Sequence, residues 1–211
     1  MAQAKRKKKF FNVDIPIIEK ETQLQAYEIE ELEGRYIRYD LTRILRGKSI
    51  ELSLRVKVQG DKATTEIKSM ELMPYFLRRM IRKGTNYVED SFSADCKNAQ
   101  IRIKPFLITR RKVSRAVRKA LREKAKQELI EYIKDKKTDQ IFEDILKNKI
   151  QKTLSLKLKK IYPLSLCEIR VLKIEKDLDK VEDKEEVIIK EKSEKTEKKK
   201  KAEKETEETK E

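Results

Sequence analysis

An α+β fold, with an antiparallel sheet as its main layer, is predicted by three features of this chain. Ile50, Leu52, Leu54, Val56 and Val58 alternate with polar residues, and Ala63, Thr65 and Ile67 do so again beyond Gly60 and Asp61. That two-residue period, broken by a glycine turn, specifies a hairpin with one buried face. From Val113 the period lengthens, and Val113, Ala116, Val117, Ala120 and Leu121 recur at helical spacing. After Pro163 a dense apolar run from Leu164 to Ile174 has the composition of a strand inside a sheet. A length of 211 residues suffices for one such core with tails.

Residues 1–10 read as a basic arm, in which Lys5, Arg6, Lys7, Lys8 and Lys9 precede Phe10. Phe10 and Phe11 open an alternating run with Val13, Ile15 and Ile17 and are expected to anchor the first strand. Stacking on nucleobases is the competing use of two rings beside lysines. Leu24 to Leu32 and Tyr36 to Leu45 add two apolar segments separated by Gly34, the second with Ile37, Tyr39 and Leu41 in strand alternation.

Glu71 to Lys83 shifts to a helical period, with Leu72, Phe76, Met80 and Ile81 on one face, Pro74 in the first turn and Gly84 as the stop. Tyr87, Val88 and Phe92 form a short strand, Asp95 to Gln100 supply a turn, and Ile101, Ile103 and Phe106 to Ile108 return. Thr138 to Lys149 is helical through Ile141, Phe142, Ile145 and Leu146. Ile150, Leu154, Leu158 and Ile161 extend a second helical register, although Leu154, Leu156 and Leu158 also alternate as a strand would. The compact domain is expected over residues 11–175 and a charged, disordered tail over 176–211. Lys192 to Glu211 hold eight Lys and seven Glu with nothing aliphatic larger than Ala202, too little apolar surface to offset the entropy of ordering.

The charge is unevenly placed. The chain carries 54 Lys/Arg against 38 Asp/Glu, a net +16, and Arg102 to Lys126 alone hold eleven basic residues and one acid, Glu123. Arg111, Arg115, Arg118, Arg122 and Lys126 recur on the face opposite the apolar stripe. A solvated helix face is the plain alternative, but such faces mix signs and this one does not. Same-sign charge at that density calls for a polyanion, and nucleic acid phosphate is the commonest. Arg78, Arg79, Arg82 and Lys83 make a second cluster; the helix dipole accounts for one or two cations there, and four suggest another phosphate contact. Lys5 to Lys9, Arg102, Lys104, Arg110, Lys112 and Lys119 complete the candidate RNA-binding set.

Several function classes lose their residues. There is no His, and Cys96 and Cys167 lie far apart, which removes Cys/His zinc sites and His-dependent nucleophilic systems. The cysteines read as small buried hydrophobes, with a disulfide left open. Four glycines at 34, 47, 60 and 84 build neither a phosphate loop nor a dinucleotide fingerprint, so no cofactor and no small-molecule substrate are expected. No run reaches the length of a membrane span, and a soluble, intracellular protein is expected. An enzyme acting on nucleic acid through Glu89, Asp90 and Asp95 is the remaining catalytic reading, but these acids read equally as turn residues.

The segments GRYIRYDLTRIL, YFLRRMIRKGTNYVEDSF, IRIKPFLITRRKVSRAVRKALR and KKIYPLSLCEIRVLKI, in that order, resemble the archaeal and eukaryotic small-ribosomal-subunit protein family called S-one-e or S-three-A-e. The resemblance runs from about Phe11 to Ile174 and implies an antiparallel barrel-like β-sheet with flanking helices. It implies a structural protein without enzymatic activity, on the platform near the messenger exit, in contact with small-subunit ribosomal RNA and neighbouring platform proteins in cytoplasmic ribosomes. The short N-terminal region is similar to the archaeal form, and the Lys/Glu-rich tail departs from the family. By motif match, the resemblance implies Arg78, Arg79, Arg82 and Lys83, with Arg110, Arg111, Lys112, Arg115, Arg118, Lys119 and Arg122, as the RNA-facing candidates. A free-standing basic factor in assembly or translation is the alternative.

Overall fold

A computed structural model describes residues 7–45, 47–60 and 62–177. The predicted hairpin is present as β4 (Ile50–Gln59) and β5 (Lys62–Leu72), antiparallel from Ile50 opposite Leu72 to Gln59 opposite Lys62. Gly60 turns it at φ 61°, a left-handed conformation that a Cβ disfavours. The alternation fixes which side faces in: Ile50, Leu52, Leu54 and Val56 are all buried. Around this hairpin lie β1 (Lys9–Ile15), β2 (Lys20–Ala26), a 3₁₀ turn at Ile29–Leu32 and β3 (Tyr36–Asp40). Beyond it come α1 (Pro74–Met80), β6 (Tyr87–Glu89), β7 (Phe92–Asp95), β8 (Ala99–Thr109), α2 (Arg115–Lys134), α3 (Thr138–Leu146), α4 (Lys149–Leu158) and β9 (Leu164–Asp177).

Among the described residues, nine strands form one sheet, and the α+β class expected from the sequence is present. The expected barrel is not formed by them. β1 runs parallel to β5 through Val13 and Asp14, so the sheet is mixed, and it does not close. One edge of β5 pairs with β4; the other is divided between β1 at Ala63 and Thr64 and β9 at Ser69 to Glu71. Sharing an edge in this way divides the strands beyond it into two wings, β1 with β2 and β9 with β8, β6 and β7. The smaller wing gathers Val13, Ala26, Leu32, Val56 and Ala63, while the larger core joins β4, β5, β8 and β9 to all four helices.

β9 lies between β5 and β8, as its apolar composition requires. α4 resolves the ambiguity over Leu154 to Leu158 in favour of a helix, since Ile150, Leu154 and Leu158 are buried and Leu156 is exposed. Phe10 departs from expectation. It precedes Phe11 in a strand, and adjacent strand residues face opposite sides, so Phe11 is half-buried and Phe10 is 64% exposed. The region expected as one strand from Tyr87 to Phe92 is two, both paired to β8. No helix among the described residues is long and apolar enough to cross a membrane.

Candidate nucleic-acid interface

β8 ends at Thr109 and the chain bends through Arg110 to Val113 before α2 begins, so Arg110, Arg111 and Lys112 sit on the connection, all exposed. Ser114 stops the helix from starting earlier. Its extended backbone and its Oγ, which accepts from the Val117 N–H at 3.4 Å, form the N-cap. The buried stripe Leu121, Ala125, Leu129 and Ile133 recurs every four residues and holds α2 against the larger core, which turns Arg115, Lys119 and Arg122 to solvent. Arg118 is half-buried, and its Nε is enclosed without a hydrogen-bond partner among the described residues.

The uncompensated charge is densest in the first two turns of α2, from Arg115 to Arg122. Lys124 pairs with Glu128 at 3.0 Å, and Lys157 of α4 donates to the same carboxylate. The hydrogen bond from Lys157, then that from Lys124, holds the Glu128 carboxyl below its usual range. At the other end the first turn contains no acid. Arg115 and Arg118 therefore add to the positive end of the helix dipole, where anions are favoured and cations are not. Arg115 with Lys119 and Arg118 with Arg122 are like-charged pairs four residues apart, each costing about 0.2–0.5 kcal/mol. Among the described residues, Lys119 alone of these four has a partial counterion, Glu123 at 3.8 Å. Arg110, Arg111, Lys112, Arg115 and Arg122 have no carboxylate within ion-pair distance among the described residues.

The second basic cluster is brought to the first by a residue that sequence reasoning passed over. α1 ends at Met80, and Ile81 is already extended, so Arg78 and Arg79 lie on the helix while Arg82 and Lys83 lie beyond it. Gly84, at φ 84°, closes the turn, in which the Thr85 hydroxyl donates to the Arg82 carbonyl at 2.7 Å. Asn86 follows. Its side-chain Oδ1 accepts from the Val113 N–H at 2.9 Å, and its backbone pairs with Thr109 in both directions. The fully buried Thr109 hydroxyl accepts from the Asn86 N–H and has the carbonyls of Asn86 and Arg111 within reach at 3.0 and 2.7 Å; its single proton serves one of them. The turn carrying Arg82 and Lys83 and the link carrying Arg110 to Lys112 are thus fastened together. Arg78, Arg82 and Lys83 are exposed, and Arg79 lies over the Phe76 ring at 5.6 Å.

Other candidates lie elsewhere. Arg102 and Lys104 alternate with the buried Ile101 and Ile103 and so point away from α2. Arg102 pairs with Glu175 at 2.7 Å, and Lys104 lines a cleft with Glu71, Glu89, Asp90 and Arg170. Lys7, Lys8 and Lys9 are exposed at the start of the smaller wing, with Lys8 over the Tyr27 ring at 5.6 Å. Lys5, Arg6 and the tail beyond Asp177 lie outside the described residues. The three acids weighed as a metal set have other partners: Glu89 pairs with Arg170 at 3.2 Å, Asp90 accepts from the Ser91 N–H, and Asp95 accepts from Gln100. Both cysteines are free and buried, and burial, followed by the charge of Glu168, pushes the Cys167 thiol up to about 12.

Several known proteins similar to this chain share one description. Small ribosomal subunit protein eS1 of Nanoarchaeum equitans is 26% identical over 178 residues, which span 81% of this chain and 90% of that protein. Its counterpart from Pyrobaculum aerophilum is 28% identical over 155 residues, covering 72% and 69%, and that from Methanothermobacter thermautotrophicus 28% over 132, covering 62% and 68%. The model of the ribosomal S3Ae family matches residues 2–177, a span that takes in every strand and helix described above and both basic clusters. On that match over most of its length, the chain belongs to the ribosomal S3Ae family.

Proposed function

We propose that this protein is a structural constituent of the small ribosomal subunit that binds and stabilises small-subunit ribosomal RNA, at the platform near the messenger exit. Family membership supports the subunit, and the resemblance noted in the sequence supports the location. The observation that carries RNA binding is the unneutralised start of α2, fastened through Asn86 to the Arg82–Lys83 turn. Cations at the positive end of a helix dipole, without carboxylate partners among the described residues, are poised for phosphate. No proton shuttle or bound group enters this mechanism. Lys/Arg side chains carried on a packed scaffold neutralise and clamp RNA backbone, so that neighbouring RNA segments and platform proteins keep their relative positions in the cytoplasmic ribosome.

Arg115→Glu with Arg122→Glu tests this, since both side chains are exposed and neither contributes to the core. The variant is expected to keep its circular dichroism and melting temperature while losing affinity for small-subunit ribosomal RNA. The magnitude of its salt slope should drop by roughly 0.7 to 0.9 for each phosphate that the variant no longer neutralises. Unchanged affinity and slope in a folded variant refute the assignment of this face. Co-sedimentation with small subunits through a high-salt wash separates a constituent, which stays bound, from a transient factor, which is released.

A further inference from the structure

Tyr87 opens β6 one position after Asn86, between the two basic segments that Asn86 joins. Its side chain is 54% exposed, although the next residue, Val88, is buried. The ring is nevertheless held in place. It lies nearly parallel to the ring of Phe106, with centroids 6.0 Å apart and planes at 24°, and Phe106 is itself buried. Tyr87 thus rests on a fixed aromatic while the remainder of its ring meets solvent. Arg82 and Lys83 precede it, and Arg110 follows its partner-strand neighbours Ile108 and Thr109. Glu89, on the same strand, is already engaged by Arg170.

We propose that Tyr87 is a stacking platform for one unpaired nucleobase of the bound RNA, with the flanking phosphates held by the basic residues on either side. The inference rests on the RNA-binding reading above and adds a preference to it. A base inside a continuous helix has both faces covered and cannot reach the ring, whereas a single-stranded or bulged base presents a free π-face. The electrostatic clamp alone does not distinguish the two; the ring does.

The test uses the full chain with two RNA probes: a short uridine-rich single strand carrying one 2-aminopurine, and a duplex of the same length. Wild type is expected to bind the single strand with a change in 2-aminopurine fluorescence. Tyr87→Ala should weaken that complex by about tenfold, within the range found for loss of one base-stacking ring, and abolish the fluorescence change. Duplex affinity should fall much less, and the salt slope should hold. Tyr87→Phe should behave as wild type. Tyr87→Leu keeps an apolar group on Phe106 without an aromatic face, so it should match Tyr87→Ala even where the alanine variant is unstable. If wild type binds both probes and the Leu and Ala variants bind them equally well, the platform is overturned while the RNA-binding reading survives, and the ring is left for a neighbouring protein. If wild type binds neither probe, both fall.

Discussion

Replacing Asn86 by Ala removes one acceptor and leaves the backbone path intact, so its cost can be worked from few interactions. Oδ1 accepts from the Val113 N–H at 2.9 Å, and that donor has no other partner among the described residues. A fully buried orphaned N–H costs about 1–3 kcal/mol. Val113 is half-buried, so water reaches part of the site, and about 1–2 kcal/mol is the expected loss. For a domain of this size that corresponds to a fall in melting temperature of about 2–8 °C. The backbone bonds between Asn86 and Thr109 survive, so the fold persists while the link carrying Arg110 to Lys112 loosens. Affinity for ribosomal RNA should therefore drop several-fold. Asn86→Asp is the control: its carboxylate still accepts from Val113, so the melting temperature should stay near wild type, while the added negative charge between the clusters weakens RNA binding. Thermal unfolding and filter binding on the three proteins decide the matter. An alanine variant with wild-type stability and wild-type affinity refutes the view that this side chain fastens the two clusters.

The buried Asp144 should set the acid limb of stability. Burial opposes its charge, but hydrogen bonds from Lys136 and the Tyr132 hydroxyl prevail and hold its carboxyl below the usual value of 3.8, while Lys136 is raised above 10.5. A depressed carboxyl stabilises above its unfolded pKa and loses that contribution as pH falls through the folded one; a raised lysine loses its share only above its own folded pKa. Asp144→Asn should therefore cost about 2–3 kcal/mol at neutral pH, less than a fully enclosed pair because Lys136 reaches solvent. Urea titrations should show that difference closing below about pH 4; a difference independent of pH there would exclude the ion pair as its cause. Cys167 should resist alkylation in the native protein at pH 8, since its thiol is buried with a pKa of about 12, and rapid labelling without unfolding would contradict that burial.

Local patterning determined most of the elements. The two-residue period over Ile50 to Ile67 fixed both the hairpin and its inward face, because a one-residue slip would send every apolar side chain to solvent. Leu121 set the inner stripe of α2 by the same logic at helical period, and like charge at the start of that helix marked the candidate interface from composition alone. Tertiary structure decided what no local period encodes. Whether a sheet closes depends on which edges meet, and the divided edge of β5 joins residues far apart in the chain. Phe10 and Phe11 are identical in composition, and only the strand's orientation assigns one of them to the core. The long basic segment resolved into an exposed link, an unneutralised helix start, a half compensated by Glu128, and two strand residues facing acids, because Glu128 lies further along α2 and the acid that meets Arg102 comes from β9. Asn86 and Tyr87 carried no sequence signature. A single amide becomes a fastening, and a single ring a platform, only where folding sets Thr109 and Val113 beside the one and Phe106 beneath the other.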